Sequence, residues 1–416
     1  MPGCRHPGEA VTGAAVTGAP PSRIAVVGAS AAGLCVVEAL RRQGYGGPLT
    51  LIGEETHLPY DRPPLSKQVL SGAWDTGRLR LRGADDIEAL GLRLRLGSPA
   101  IALDTQDREV ALADGSLVGY DALVVATGTR ARRLPGTDGV RGVHVLRTLE
   151  DAVALREDLA GKPHLVVVGG GFVGAEAAAV ARGLGCEVTL VTDTAQPMGD
   201  ALGDELGAML RAVHAEHGVR IETGTLVDRV LTAGGRATGV RLADDRTIDA
   251  EAVLVGIGAL PNTEWLTGSG VPVGNGVTCD VTLYAGSGVW AAGDVASWPH
   301  PLTGERIRVE HRTNAAEQGL AVARNVLAGP EQARPFETVP YVWSDQYDLR
   351  IQIWGRTRGA DEVRIVEGSP AERKLIALYG KDGRVCAAVG VNMMRALRDY
   401  RSQVAEAAPF TARSAA

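Results

Sequence analysis

Apolar positions along this chain follow two rhythms, and the change from one to the other falls at glycines. In residues 23–54 an apolar run at 24–27 meets Gly28, Ser30 and Gly33. A helix-period segment then fills 34–42, and a second apolar run at 49–52 ends at Gly53 and Glu54. That order predicts strand, tight turn, helix and strand. Arg and Leu alternate through much of 77–96, a period of two that predicts a half-exposed strand with Arg78, Arg80 and Arg82 on one face. Short strands are expected over 99–117 around a turn at Asp114 and Gly115. Residues 120–128 (YDALVVATG) predict a buried strand that ends in small residues.

The first arrangement returns at 164–193. A Val-rich run leads to Gly169, Gly171 and Gly174, then to an Ala-rich helical segment and a strand at 187–191 that opens onto Thr192 and Asp193. Each copy is followed by a strand closing in small residues, at 126–128 and at 256–258. A further strand within 288–296 ends at Gly293 and Asp294, and a helix over 309–327 is expected to begin near Thr313 or Asn314. Beyond Pro330 the period falls to two, with a hairpin turn at Asp382 and Gly383 and a closing helix at 393–407.

A strand, glycine turn and helix followed by an acid roughly 20 residues on is the arrangement that dinucleotide binding needs. Gly28 allows the tight turn, the small Ser30 lets backbone approach a pyrophosphate, and Gly33 permits close helix packing. The pyrophosphate would lie on free N–H groups at the helix N-terminus, and Glu54 would accept from a ribose. In the second copy Gly169, Gly171 and Gly174 complete the glycine pattern. Two such units imply two nucleotides working together. The fold class expected is α/β, with two Rossmann-like dinucleotide-binding domains and a C-terminal α+β domain. The first domain is expected to be discontinuous (23–130 and 259–330), the second to span 131–258 and the third 331–416, after a flexible tail at 1–22.

Composition narrows the chemistry. With 416 residues, 54 of them Gly, and 45% apolar content, the chain suits a multidomain α/β protein rich in tight turns. A net charge of −6 argues against nucleic acid as a partner, and no apolar run approaches a membrane span. Residues 1–22 lack the basic start and apolar core of a signal peptide. Cys4, Cys35, Cys186, Cys279 and Cys386 are scattered, with no C-x-x-C and no metal-ligand spacing, which suggests small apolar fillers in a reducing, cytoplasmic setting.

The stretch 59–67, PYDRPPLSK, read together with the two glycine units, resembles the signature of flavin-dependent ferredoxin reductases. These share the glutathione-reductase-like fold, but the redox-active cysteine pair of disulfide reductases has no counterpart here. The resemblance implies FAD on the first unit and a nicotinamide on the second. Gly28, Ser30, Ala32 and Gly33 would hold the pyrophosphate end of FAD, with Glu54 on its ribose. Arg62, Lys67, Ala100, Thr127, Gly128 and Arg147 would lie along FAD, and Gly293 and Asp294 would meet its ribityl chain. Gly169, Gly171, Phe172, Val173, Gly174, Asp193, Gly256, Ile257 and Gly258 would form the nicotinamide nucleotide's site. Relatives that prefer NADH usually carry Glu directly after the second strand; here Thr192 stands there, with Asp193 one step on. Asp193 still accepts from a 2′-hydroxyl and repels a 2′-phosphate, so NADH is expected over NADPH.

Lys67 and Glu176 are expected to pair beside the flavin, although a Glu early in a helix is elsewhere an ordinary dipole partner. Arg312 replaces an apolar or aromatic residue of relatives. It either adds its cation to the helix dipole under the flavin or turns to solvent. Trp343, in PYVWSDQY (340–347), matches an interface aromatic, with a core Trp as the alternative. Arg82 matches a docking position, with Arg78 and Arg80 beside it; the alternative is a solvated face. The activity implied is hydride transfer from NADH to FAD, then single-electron transfer to an iron–sulfur ferredoxin feeding a cytochrome P-450 monooxygenase or a Rieske oxygenase. An NADH oxidase or rubredoxin-type reductase, or an NAD-responsive flavoprotein resembling apoptosis-inducing factor, are the alternatives.

Overall fold

The computed structural model describes residues 20–301 and 304–411. Most of the tail expected at 1–22, and Cys4 with it, lies outside the described residues. Ile24–Val27 and Ala122–Val125 are buried at every position and lie side by side and parallel, with Ile24 opposite Ala122. Continuous apolar runs of this kind are what a parallel strand covered on both faces requires. These strands centre a six-stranded sheet in the order Tyr284–Gly286, Val289–Ala291, Ala122–Val125, Ile24–Val27, Leu49–Ile52, Arg93–Arg95. A second sheet repeats the plan in the order Arg220–Thr223, Glu187–Thr192, His164–Val168, Ala252–Val255, Val143–His144. Thr129–Ala131 and Ala259–Pro261 pair antiparallel where the chain leaves the first of these units and where it returns.

The third unit is an antiparallel sheet ordered Tyr341–Gln346, Leu349–Gly355, Arg384–Val391, Lys374–Lys381, Glu362–Ser369. Its hairpin turns at Asp382 and Gly383, with φ of 51° and 70°, the left-handed pair that matches strand twist. The chain's last helical stretch is shorter than expected: a tight turn at Ala396–Tyr400 followed by one helical turn at Arg401–Ala405. Among the described residues no helix is long and apolar enough to cross a membrane.

One element differs in kind. No strand runs through Arg78, Arg80 and Arg82. Asp75 accepts from the Arg78 backbone N–H and closes a tight turn at Thr76–Leu79, a short helix follows at Ala84–Glu88, and only Arg93–Arg95 is extended in a sheet. The alternating leucines serve two cores: Leu79 joins Tyr60, Leu65, Val69 and Leu70, while Leu81 packs on the first sheet's core. The chain therefore turns between them, and Arg82 folds back to pair with Glu38 at 2.6 Å.

Two helices converge on one edge of the first sheet. The first crossover helix, Ala31–Arg42, and the helix Arg312–Ala328 cross so closely that a Cβ on Gly319 would lie 2.9 Å from the Ala32 carbonyl oxygen. Both point their N-termini at that edge, where Ala31, Ala32 and Arg312 line one cleft.

Candidate active site

The glycine turns are built alike. Gly28 has φ of 122°, and a Cβ there would lie 2.0 Å from the Ala126 carbonyl oxygen. Gly169 has φ of 104°, and its Cβ would lie 2.3 Å from the Gly256 carbonyl oxygen. In each unit the third glycine, Gly33 or Gly174, meets the first one's carbonyl at 2.0 Å. Only glycine fits such approaches.

At the carboxyl edge of the first sheet lies a cleft of about 1140 Å³. Every residue assigned to the first nucleotide lines it except Gly33, which is buried behind the turn: Gly28, Ser30, Ala32, Glu54, Arg62, Lys67, Ala100, Thr127, Gly128, Arg147, Gly293, Asp294 and Arg312. Phe172, Val173, Glu176 and Trp343 reach the same cleft from the other two units. Gly169, Gly171, Gly174, Asp193, Gly256, Ile257 and Gly258 do not line it. They lie at the edge of the second sheet, where Asp193 is exposed and Thr192 is buried, its hydroxyl 2.8 Å from that of Thr194.

The cleft suits FAD on its own chemistry. Ser30, which precedes the helix Ala31–Arg42, makes no side-chain cap, and no acid occupies the first turn. Free N–H groups there face the cleft and form a ready anion site for a pyrophosphate.

The charged residues around the cleft are almost all held by one another. Arg62 donates to Glu55 at 2.5 Å and to the Arg147 carbonyl at 2.7 Å. Tyr60 also donates to Glu55, at 2.5 Å, and burial raises its phenol so that it stays neutral. Arg147 reaches Asp294 at 2.8 Å and the Thr129 carbonyl at 2.9 Å, which aims both the guanidinium and the carboxylate. Arg312 neither turns to solvent nor stands as a lone cation: its Nε is 2.7 Å from Asp61. Burial pushes His311, the residue before that helix, down to about 4, and its neutral ring meets Phe172 edge-on at 6.1 Å.

Lys67 comes from a helical turn at Leu65–Val69, Glu176 from the second crossover helix, Phe172–Gly183. Their Nζ and Oε2 atoms are 2.7 Å apart, with side-chain exposures of 12% and 5%. Ser66 donates to the same oxygen at 2.5 Å, and Ser344 to Oε1 at 2.7 Å. Trp343, next to Ser344, is half-buried and stacks on Tyr341, so it is no core residue. Sequence reasoning missed Glu55, Tyr60, Asp61, Ser66 and Ser344. The first four sit within or beside 59–67, where their chemistry was in view. Ser344 is 168 residues from Glu176, and nothing local announces that contact.

No disulfide joins the four described cysteines; burial raises the Cys186 thiol and pushes Cys279 up to about 12. Residues 22–319 match the family described as pyridine nucleotide-disulphide oxidoreductase, and 341–416 match the family described as reductase C-terminal. The chain is 35% identical over 395 residues to rhodocoxin reductase of Rhodococcus erythropolis, covering 94% of this chain and 92% of that protein. It is 37% identical over 386 residues to the ferredoxin–NAD(+) reductase component of the anthranilate 1,2-dioxygenase system of Burkholderia cepacia, covering 92% and 94%. Among solved structures, putidaredoxin reductase in covalent complex with putidaredoxin superposes with a TM-score of 0.88 at 32% identity, covering 93% of this chain and 94% of that one. The chain belongs to the pyridine nucleotide-disulphide oxidoreductase family and carries its reductase C-terminal unit.

Proposed function

We infer that this chain is an NADH-dependent ferredoxin reductase. It passes electrons from NADH through FAD to an iron–sulfur ferredoxin, which in turn feeds a cytochrome P-450 or a Rieske oxygenase. The observation that carries the reading is the Lys67–Glu176 pair, buried where the two dinucleotide units and the C-terminal unit meet. Bound FAD supplies the redox chemistry, accepting a hydride and releasing electrons one at a time. The chain's own residues bind and orient. The open N-terminus of Ala31–Arg42 takes the pyrophosphate, Glu54 the ribose, and Asp294, steadied by Arg147, the ribityl hydroxyls. Lys67 brings a cation to the cleft, and Glu176 holds it there.

Phe172 and Val173 open the second crossover helix onto the cleft, where a nicotinamide has to arrive. Asp193, exposed at the end of its strand, favours NADH over NADPH by accepting from the 2′-hydroxyl. The domain division that accompanies this reading is 23–130 with 259–330 for FAD, 131–258 for NADH and 331–416 for the partner. Two of the relatives are named for a ferredoxin–NAD(+) reductase and for a reductase in complex with putidaredoxin, which supports a ferredoxin-type partner here. Exposed Arg78 and Arg80, with Trp343 at the cleft mouth, are the docking residues of this reading; Arg82 is held by Glu38. Work in the cytoplasm belongs to the same reading.

The test is NADH-driven cytochrome c reduction on FAD-loaded protein, with and without a bacterial ferredoxin. A large ferredoxin-dependent rate is expected. Fast flavin reduction with oxygen uptake and no response to any of a panel of ferredoxins would make the protein an oxidase instead.

A further inference from the structure

Glu176 receives more donors than pairing with Lys67 requires, and one of them begins a chain that leaves the cleft. A carboxylate only accepts, so the Ser344 hydroxyl donates to Glu176 Oε1, at 2.7 Å. The Ser344 oxygen then accepts from Gln346 Nε2 at 3.0 Å, and the same amide nitrogen reaches Met198 Sδ at 3.1 Å. Gln346 Oε1 is left facing His214 Nε2 at 2.9 Å, which puts the imidazole proton on Nε2. His214 Nδ1 accepts in turn from the Tyr347 hydroxyl at 3.0 Å. One assignment satisfies every group, and in it each of the four bonds from Tyr347 through His214, Gln346 and Ser344 points toward Glu176, the Met198 contact being a side branch. Ser344, Gln346 and His214 are at most 1% exposed. Burial pushes His214 down to about 4, so the ring is neutral, as the assignment needs.

The chain also spans the architecture. Tyr347 has φ of 53° at the tip of the hairpin between Tyr341–Gln346 and Leu349–Gly355, and its ring stacks on His217 with centroids 3.7 Å apart. His214 and His217 belong to the helix Gly199–Glu216 and its C-terminal end. The residue before that helix, Met198, donates its backbone N–H to the Gly170 carbonyl at 2.7 Å, inside the second glycine turn. One strand thus places Ser344 and Gln346, two residues apart on one face, between the second nucleotide's turn and the cleft.

We propose that Ser344, Gln346, His214 and Tyr347 are positioning residues that fix the Glu176 carboxylate, and through it Lys67, at the angle the NADH-to-FAD step needs. This rests on the reading that Lys67 and Glu176 flank the flavin. The chain works by orientation: a Gln amide interrupts any proton relay, while aligned hydrogen bonds in a dry interior strengthen one another.

The experiment uses the FAD-loaded full chain, with stopped-flow flavin reduction by NADH, NADH affinity and thermal unfolding as readouts. Ser344→Ala is expected to slow flavin reduction about tenfold, with NADH affinity changed less than about twofold. Ser344→Thr, which keeps the hydroxyl, is expected to stay within about threefold. Packing alone predicts the reverse order, because Thr overfills a fully buried site and Ala does not. Among the described residues Gln346 reaches Glu176 only through Ser344, so the Tm shifts of Gln346→Met and Glu176→Gln are expected to be non-additive. Normal rates in Ser344→Ala and additive shifts, alongside a slow Glu176→Gln, would overturn the proposal and leave the site reading intact. A Glu176→Gln enzyme as fast as the parent would overturn the site reading, and the proposal with it.

Discussion

At the scale of single residues, the cleft is a set of charges that hold one another in place before any cofactor arrives. Arg312 shows what that does to an argument made from one side chain. Its cation lies at a helix N-terminus, where the dipole already favours negative charge, but Asp61 sits 2.7 Å from its Nε. The two substitutions therefore have opposite signs. Arg312→Ala leaves the Asp61 carboxylate without its partner and is expected to lower the flavin midpoint potential by about 10–30 mV; Asp61→Asn is expected to raise it by a similar amount. Redox titration against reference dyes reads both, and equal shifts in one direction would refute the pairing argument. The histidines carry a second consequence. His214 and His311 are both pushed down to about 4 by burial. The unfolded chain binds protons near pH 6.5 that the folded chain refuses. Stability is thus full above that pH and falls as pH drops toward about 4, by up to about 1.4 kcal/mol per unit for each ring. His214→Leu should flatten the loss between pH 7.5 and 5.0, seen in urea midpoints at the two values. An unchanged pH dependence would show that the ring titrates freely.

At the scale of elements, the doubled glycine turn separates a residue the fold needs from one the ligand needs. Gly169 has no room for a Cβ, whereas a Cβ on Gly171 would meet nothing within 4 Å at an ordinary negative φ of −74°. Gly169→Ala is expected to cost about 3 kcal/mol or more of stability. Gly171→Ala should leave Tm within about 2 °C and raise the KM for NADH about tenfold, since the added methyl stands where backbone must approach a pyrophosphate. Thermal melts with NADH titrations check both; a normal KM in Gly171→Ala would move the nucleotide elsewhere. The strands of these turns were legible because a strand covered on both faces is apolar throughout, as at Ile24–Val27 and Ala122–Val125. The Arg–Leu alternation misled for the converse reason. A period of two can arise when successive leucines bend toward different cores, as Leu79 and Leu81 do. Of the site, residues inside a motif could be found by reading, Lys67 and Glu176 among them. Ser344, Gln346 and His214 could not, because only the packing of the C-terminal unit on the second dinucleotide unit links them to one carboxylate.

At the scale of the whole molecule, a net charge of −6 sets up a long-range conflict with any acidic partner, which a local basic face has to overcome. Arg78, stacked over Trp74 at 4.8 Å, and Arg80 are both exposed. Arg78→Ala with Arg80→Ala is expected to lower the ferredoxin on-rate about threefold to tenfold at low salt and to flatten its ionic-strength dependence, while NADH–ferricyanide turnover holds. Arg82→Ala should instead act on stability through Glu38. Parallel assays with the two acceptors distinguish these outcomes, and equal losses in both would remove the docking role.

The short pairing of Thr129–Ala131 with Ala259–Pro261 has a consequence of another kind. Antiparallel partners lie about 5 Å apart, so the intervening stretch begins and ends at nearly one point. Geometrically it is a cassette. Its contents can grow or shrink while the six-stranded sheet keeps its thread unbroken, so long as Arg147 and Glu176, which the stretch lends to the cleft, stay in place. Such a joint marks the two cuts a protein engineer would make to exchange the second sheet, and Arg147 and Glu176 are contacts with the cleft that the replacement would have to supply again.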